Sequence, residues 1–156
     1  FSELMKKCNI VPVAISYQYD PNDINKGREE VTKEHNDGKY EKKKYEALIS
    51  MVKGLRCQKG HVHVAIGDPL EGEYNTPEEV AEAIDHQIHL NYHLFDTNYL
   101  SYDVLEGGDR FKEFYSSLDK EEFLSRFAHL SEDVRSFVLN TYANPVRMML
   151  KAKNEQ

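Results

Sequence analysis

The chain has little cysteine, no tryptophan and no long apolar run, and these shortages exclude several classes of protein. Its two cysteines, Cys8 and Cys57, lack metal-site spacing and are too few for a disulfide framework, which favours a reducing, cytoplasmic compartment. No apolar stretch approaches the roughly 20 residues of a membrane-spanning helix. The formal net charge of −7 disfavours nucleic-acid binding, which needs a basic face. A Gly-rich phosphate loop and a nucleophile elbow are also missing, and the sequence predicts no cofactor.

The most informative stretch is Ile10 to Tyr17, which is almost uniformly apolar. It predicts a strand buried on both faces, as in a parallel sheet covered by helices. Pro12 fits near the start of such a strand, because proline cannot donate to the ladder. A core strand this close to residue 1 leads us to expect that the chain begins inside a domain whose other strands lie upstream.

A second strand is predicted within His61 to Leu70, ended by Gly67 and Pro69. Between the strands, a charged helix is predicted for Asp23 to Asn36, followed by a helix with one apolar stripe: Tyr45, Leu48, Ile49, Val52 and Leu55. A strand, two helices and another strand indicate a crossover unit with parallel strands. The predicted fold class is therefore α/β, a partial sheet of two strands with crossover helices, followed by an all-helical C-terminal extension.

A short helix end is predicted at residues 1–7, before the first strand. The C-terminal half of the chain contains helix signals only. Thr76-Pro77-Glu78-Glu79 is a clear helix start, and Asp119 with Glu122 and Ser131 with its acidic neighbours predict two further caps. Helical spacing of Phe111, Phe114, Tyr115 and Leu118 predicts another helix, and Asn144-Pro145 is expected to stop the last one. We divide the chain into residues 1–75, the α/β part, and residues 76–156, the helical extension.

Three segments of the chain resemble one enzyme family. Ile10-Val11-Pro12-Val13-Ala14-Ile15 is similar to the fourth conserved motif of the glycerophospholipid acyltransferases, the bacterial 1-acylglycerol-3-phosphate acyltransferase (PlsC-like) group. Gly60 through Leu70 is similar to a later strand of that domain. Three short segments resemble the helical C-terminal extension of one bacterial branch of the family: Ile84-Asp85-His86-Gln87-Ile88, Asn98-Tyr99-Leu100 and Tyr142-Ala143-Asn144-Pro145-Val146.

The resemblance implies the C-terminal portion of an enzyme that transfers a fatty acyl group to a lysophospholipid or glycerol-phosphate hydroxyl. The donor would be a coenzyme A or acyl-carrier-protein thioester, and the full-length protein would be cytoplasmic and peripherally membrane-associated. Val11, Pro12 and Val13 would line the substrate pocket. The family's catalytic His-x-x-x-x-Asp, in which histidine deprotonates the acceptor hydroxyl, and its Glu-Gly-x-Arg phosphate-binding segment both precede this strand. We therefore expect no catalytic residue in this chain, and an inactive fragment.

The histidines offer alternatives that the sequence does not favour. His63 and Asp68 reproduce the His-x-x-x-x-Asp spacing, but an odd separation along a strand directs the side chains to opposite faces. His61 and His63 share a strand face without a third metal ligand. His86, His89 and His93 would share one helical face. A zinc site is one interpretation of this face, but a solvated polar face, or one covered by the missing part of the protein, accounts for it better. No metal site is therefore predicted.

A different class of function also fits the sequence. The chain could be a non-catalytic α/β interaction module that docks a protein partner or a membrane face. The acyltransferase hypothesis has a further consequence. If the domain is truncated upstream, the strands near Val11 and Val64 lack a natural sheet partner, so we expect that the fragment can dimerise through the exposed sheet edge.

Overall fold

The computed structural model describes residues 7–154, with side chains up to residue 152. The described elements are strands β1 (Val13–Tyr17) and β2 (Val62–Ile66), a 3-10 helix (Lys112–Tyr115) and six α-helices. The α-helices are α1 (Asp23–His35), α2 (Glu46–Arg56), α3 (Pro77–Asn91), α4 (Asp96–Glu106), α5 (Lys120–Ser125) and α6 (Glu132–Asn154). The predicted helix end at residues 1–7 lies almost entirely outside the described residues.

The described residues form two compact units, one of residues 7–16 and 62–93 and the other of residues 17–61 and 94–154. The first holds the paired strands and α3, and the second holds the remaining helices. The division at residues 75 and 76 stays a prediction.

The two strands pair antiparallel, so the predicted parallel pairing is wrong. The Gly67 amide donates to the Pro12 carbonyl (2.8 Å) and the Leu70 amide to the Ile10 carbonyl (2.9 Å), so residue numbers rise in one strand as they fall in the other. The order strand, helix, helix, strand does not by itself fix the direction in which the second strand runs. The mixed α/β class is confirmed, but the crossover arrangement is not.

Unit one places α3 beside the end of β2. Thr76 caps α3 as predicted, since its Oγ1 accepts from the Glu79 amide at 3.2 Å. Glu79 accepts instead from the Asn75 amide (2.7 Å), one residue before the cap that a standard capping box would use. Gln87 on the helix binds both the amide and the carbonyl of Asp68 (2.9 and 3.0 Å). These bonds fix the helix against the sheet.

Unit two has an all-helical core built around α6. Its buried members come from five helices, the 3-10 helix included, and from the turn after α5; they are Val31, Leu100, Tyr115, Phe123, Phe127, Val134, Val138, Leu139 and Tyr142. Helix α1 lies close to α6: a Cβ at Gly27 would be 2.7 Å from Val138 Cγ2, so glycine permits this approach. The charged segment predicted to be a solvated helix therefore buries one side, at Gly27 and Val31.

Two details of the helical part differ from the sequence prediction. Helix α6 runs through Pro145 instead of stopping there. Ala143 and Val146 on either side are fully buried, and the Asn98 side-chain Nδ2 donates to the Tyr142 carbonyl (2.9 Å) close to the bond that proline cannot make. The Phe111–Leu118 segment forms a single 3-10 turn, because Asp103 holds its first residue through the Phe111 amide (2.8 Å).

Candidate functional site

One side of the two-stranded sheet exposes a continuous group of apolar side chains to solvent. The hydrogen-bond register places Val13 opposite Ile66 and Ile15 opposite Val64. Six large aliphatic residues of this side are between 40% and 74% exposed, and together we call them the apolar sheet face: Val11, Val13, Ile15, Val62, Val64 and Ile66. A contiguous exposed apolar patch is typical of a binding or docking surface.

The other side of β1 is buried, in agreement with the prediction for that face. Ala14 and Ser16 are inaccessible, and the Ser16 hydroxyl accepts from the His93 amide at 3.0 Å. The prediction that both faces are covered is therefore wrong for the described residues. The sequence of β1 is apolar on both sides, but only one side meets other parts of its unit.

The structure separates the three residues predicted to bind substrate. Val11 and Val13 lie on the apolar sheet face, whereas Pro12 is buried on the opposite side. The alternation of a strand makes this unavoidable, because successive side chains point to opposite faces. Pro12 contributes its carbonyl to the ladder, where Gly67 donates to it. Of the three predicted residues, only Val11 and Val13 could therefore contact an apolar ligand on this face.

His63 and Asp68 do not form a catalytic pair. The His63 ring lies 4.8 Å from the ring of His93, on the side of the sheet that carries Ser16, while the register assigns position 68 to the apolar sheet face. Asp68 is tied through its backbone to Gln87. A base and its orienting carboxylate must be within hydrogen-bonding distance, and these two are on opposite sides.

The three-histidine face is interrupted at its C-terminal end. Helix α3 ends at Asn91, so His93 leaves the helical register of His86 and His89 and contacts His63 instead. Partial burial lowers the pKa of His93, and the nearby His63 lowers it further. Within residues 7–154, no group of three or more histidine, cysteine or acidic side chains is arranged to hold a metal ion.

A buried charged cluster in unit two was not anticipated from the sequence. The Arg126 guanidinium donates to Asp23 Oδ2 (3.0 Å), which also accepts from the Tyr142 hydroxyl (2.9 Å). The guanidinium lies over the rings of Tyr19 (4.7 Å) and Phe127 (5.2 Å). Asp23 and Arg126 are 103 residues apart, so no local spacing signals the pair.

Burial dominates the ionisation of this cluster. It raises the pKa of Asp23 above its ordinary value of 3.8, although Arg126 opposes the shift. Burial also raises the pKa of Tyr142, and the Asp23 carboxylate raises it further. An open cavity of about 320 Å³ beside the pair is lined by Arg28, Cys57, His129 and others. Because Asp23 already neutralises Arg126, we interpret the cluster as structural rather than as an anion site.

A second buried carboxylate, Asp103, organises the turn after α4. Its Oδ2 accepts from the Phe111 amide (2.8 Å) and from the Tyr115 hydroxyl (2.9 Å). Burial, the hydrogen bond to Asp103 and the charge of Asp103 together raise the pKa of Tyr115 to about 12. The protonated phenol is therefore the form that the folded state favours.

Tyr115 should make the stability of the protein fall in alkaline solution. The unfolded phenol ionises near its ordinary value of 10.0 and the folded one near 12, so this stabilisation is complete below pH 10 and is lost as the pH rises to about 12. In urea unfolding between pH 8 and 12, the free energy of unfolding should fall more steeply with pH for the wild type than for Tyr115→Phe. The variant should also lose about 1–3 kcal/mol at neutral pH. Parallel pH profiles would contradict this.

Comparison of the chain with protein family models, curated proteins and solved structures found no match. No helix among the described residues has the length and apolar character needed to cross a bilayer. The apolar sheet face, with Val11 and Val13 on it, is thus the feature that a functional hypothesis must explain.

Proposed function

We propose that this chain is the C-terminal portion of a PlsC-like glycerophospholipid acyltransferase. The whole enzyme would transfer a fatty acyl group from a coenzyme A or carrier-protein thioester to the hydroxyl of a lysophospholipid or glycerol phosphate. In this proposal the chain supplies an apolar wall and a helical extension. The catalytic histidine and aspartate come from the remainder of the enzyme.

The observation that carries the proposal is the apolar sheet face. The strand that resembles the family's fourth motif and the strand that resembles its later one are hydrogen-bonded neighbours. Both present branched aliphatic side chains on the same side. An acyl chain is recognised by apolar surface area and needs no polar partner, so six aliphatic side chains suit it.

The proposal includes peripheral membrane association of the full-length enzyme. A lysophospholipid acceptor and a long acyl chain partition into bilayers, so the enzyme must reach them at the membrane surface. The chain has no spanning helix among its described residues, which is compatible with contact at the surface.

The second candidate function is a non-catalytic docking module. It is favoured by the exposure of apolar side chains on helix α2 as well as on the sheet. Large exposed apolar patches serve protein partners as readily as lipids. The two candidates differ in whether changes on the apolar sheet face affect acyl transfer.

Replacement of Val13 by aspartate in the intact gene product tests the proposal. We expect acyl transfer from a long-chain thioester to lysophosphatidic acid to fall about a hundredfold, because a charge would enter the apolar wall and displace the acyl chain. In the 156-residue chain the same change should alter the free energy of unfolding by only about 0.5 kcal/mol, since Val13 is already exposed.

Leu90→Asp is the matched control, because Leu90 is also an exposed apolar residue of the first unit and lies on α3. It should leave acyl transfer within about twofold of wild type, as expected of a surface change. Equal activities of wild type and Val13→Asp would argue against a role of this face in acyl transfer. An intact product without any acyl transfer would favour the docking module.

A further inference from the structure

Helix α2 turns its apolar side away from the unit to which it belongs. Six large apolar side chains on or next to it are between 40% and 72% exposed, and we call them the α2 stripe: Tyr45, Leu48, Ile49, Met51, Val52 and Leu55. At 100° per residue they occupy one continuous side of the helix. An ordinary surface helix would bury this side.

Small and polar residues attach the opposite side of α2 to its unit. The Ser50 hydroxyl donates to Asn22 Oδ1 (3.1 Å). Gly54 is buried, and a Cβ there would lie 3.1 Å from Asn22 Nδ2. The Cys57 thiol, just beyond the helix, lies 3.6 Å from the Pro21 carbonyl. These contacts hold the helix with the α2 stripe facing outward.

The segment around the α2 stripe is basic, although the chain is acidic. Residues 39–59 contain six lysines and one arginine against two glutamates, in a chain with a formal net charge of −7. Lys43 and Lys44 precede the helix, Lys53 and Arg56 lie on it, and all four are exposed. The Lys44 ammonium lies 5.1 Å from the centre of the Tyr45 ring. Positive charge is therefore concentrated around the exposed apolar side.

We propose that the α2 stripe and its basic flanks bind the surface of an anionic phospholipid bilayer. The helix would lie in the plane of the membrane, with its aliphatic side chains among the acyl chains and its lysines among the phosphates. The proposal deepens, and rests on, the peripheral membrane association proposed above. It does not require acyl transfer.

The chemistry of this surface fits other occupants less well. Nucleic acid would use the lysines but would leave the aliphatic side chains of the α2 stripe without a partner. A second copy of the chain would bring two basic segments together, and like charges repel. The cores of protein interfaces are depleted in lysine, whereas amphipathic helices that bind membranes are rich in it.

Flotation of the purified 156-residue chain with vesicles tests the proposal directly. The chain should float with an equal mixture of phosphatidylcholine and phosphatidylglycerol and should bind phosphatidylcholine alone more weakly. Leu48→Asp/Val52→Asp should weaken partition to the mixed vesicles roughly tenfold or more. Leu90→Asp/Met148→Asp makes the same change at two exposed apolar residues elsewhere and should bind nearly as wild type does.

The basic flank has its own matched pair of variants. Lys43→Gln/Lys44→Gln should weaken binding to the mixed vesicles by about fivefold for each lysine removed, while Lys112→Gln/Lys120→Gln, with the same loss of charge at exposed sites, should have little effect. No acyl donor is present, so failure here is separable from failure of the acyltransferase proposal.

Three results would overturn the proposal. The first is a wild-type chain that floats with neither kind of vesicle. The second is flotation of the α2 variants that equals flotation of the wild-type chain. The third is a dimer that Leu48→Asp/Val52→Asp dissociates and that does not bind vesicles, which would assign the α2 stripe to self-association.

Discussion

Replacing Arg126 with methionine is expected to lower the free energy of unfolding by about 3–5 kcal/mol at neutral pH. Asp23 has a side chain only 8% exposed, and Arg126 supplies its countercharge at 3.0 Å. Methionine keeps much of the packing against Tyr19 and Phe127 but removes that charge. The buried carboxylate would retain only its neutral donors, the Tyr142 hydroxyl and the Ile24 amide. An uncompensated buried charge is among the costliest products of a single substitution.

The pH dependence of the stability of Arg126→Met shows whether the ionised Asp23 carboxylate causes the loss. Without Arg126, the pKa of Asp23 in the folded state should rise further above its ordinary value of 3.8. A raised folded pKa gives stability that is complete below the unfolded value and is lost as the pH rises through the folded value. The deficit of Arg126→Met relative to wild type should therefore shrink on acidification toward pH 4. Asp23→Asn/Arg126→Met should recover part of the loss at neutral pH.

Arg147→Met is the control for the loss of an arginine. Arg147 is about as exposed as Arg126 (34% against 31%), but its partner Glu106, 3.1 Å away, is 50% exposed whereas Asp23 is 8% exposed. Water can solvate Glu106 once the arginine is gone, so the removal of Arg147 should cost about 1 kcal/mol or less. Urea unfolding monitored by circular dichroism measures all of these variants. Equal losses for Arg126→Met and Arg147→Met would show that the buried pair contributes nothing special.

Replacing Phe123 with alanine is expected to cost about 3–5 kcal/mol of unfolding free energy. Phe123 is 1% exposed and meets Phe127 and Tyr142 edge to face, with ring centres 5.3 and 5.5 Å apart. Its removal would leave a cavity between α5 and α6 that these rings cannot easily fill. It would also remove part of the apolar surroundings of Arg126.

Phe114→Ala is the matched control for this cavity. Phe114 is 59% exposed, and although it stacks on Tyr99 (4.6 Å between ring centres), its loss should cost only about 1 kcal/mol. The midpoint of urea unfolding should therefore fall much further for Phe123→Ala than for Phe114→Ala. A similar fall for both would mean that the core of unit two is not centred on Phe123.

Local signals predicted the elements well because their causes are local. Asp119 accepts from the Glu122 amide (2.9 Å) at the predicted start of α5, and Thr76 caps α3. Both caps depend only on residues three positions apart. The two strands also appear where runs of branched aliphatic residues predicted them.

Tertiary contacts account for what the sequence did not reveal. Pro145 predicts a helix end, but the burial of Ala143 and Val146 and the bond from Asn98 keep α6 continuous. The Asp23–Arg126 pair joins residues 103 positions apart, and strand direction depends on the path of the whole connection. The charged segment of α1 gave no sign that Gly27 would meet Val138.

The candidate site, too, depends on tertiary contacts that the sequence does not reveal. The aliphatic character of Val11, Val13 and Val64 is plain in the sequence, but a uniformly apolar strand does not reveal which side is covered. Only the antiparallel register assigns Val11 and Val13 to an exposed face and Pro12 to a buried one. The sequence prediction of a dimer through the sheet edge stays a prediction, which sedimentation at high concentration can test.

Acyl transfer by the intact gene product, compared with transfer by the 156-residue chain, tests the central claim most directly. With a long-chain acyl thioester and lysophosphatidic acid, we predict phosphatidic acid formation by the intact product and none by the chain alone. Phosphatidic acid formation by the isolated chain, or none by either protein, would contradict the claim that this apolar sheet belongs to an acyltransferase and lacks its catalytic pair.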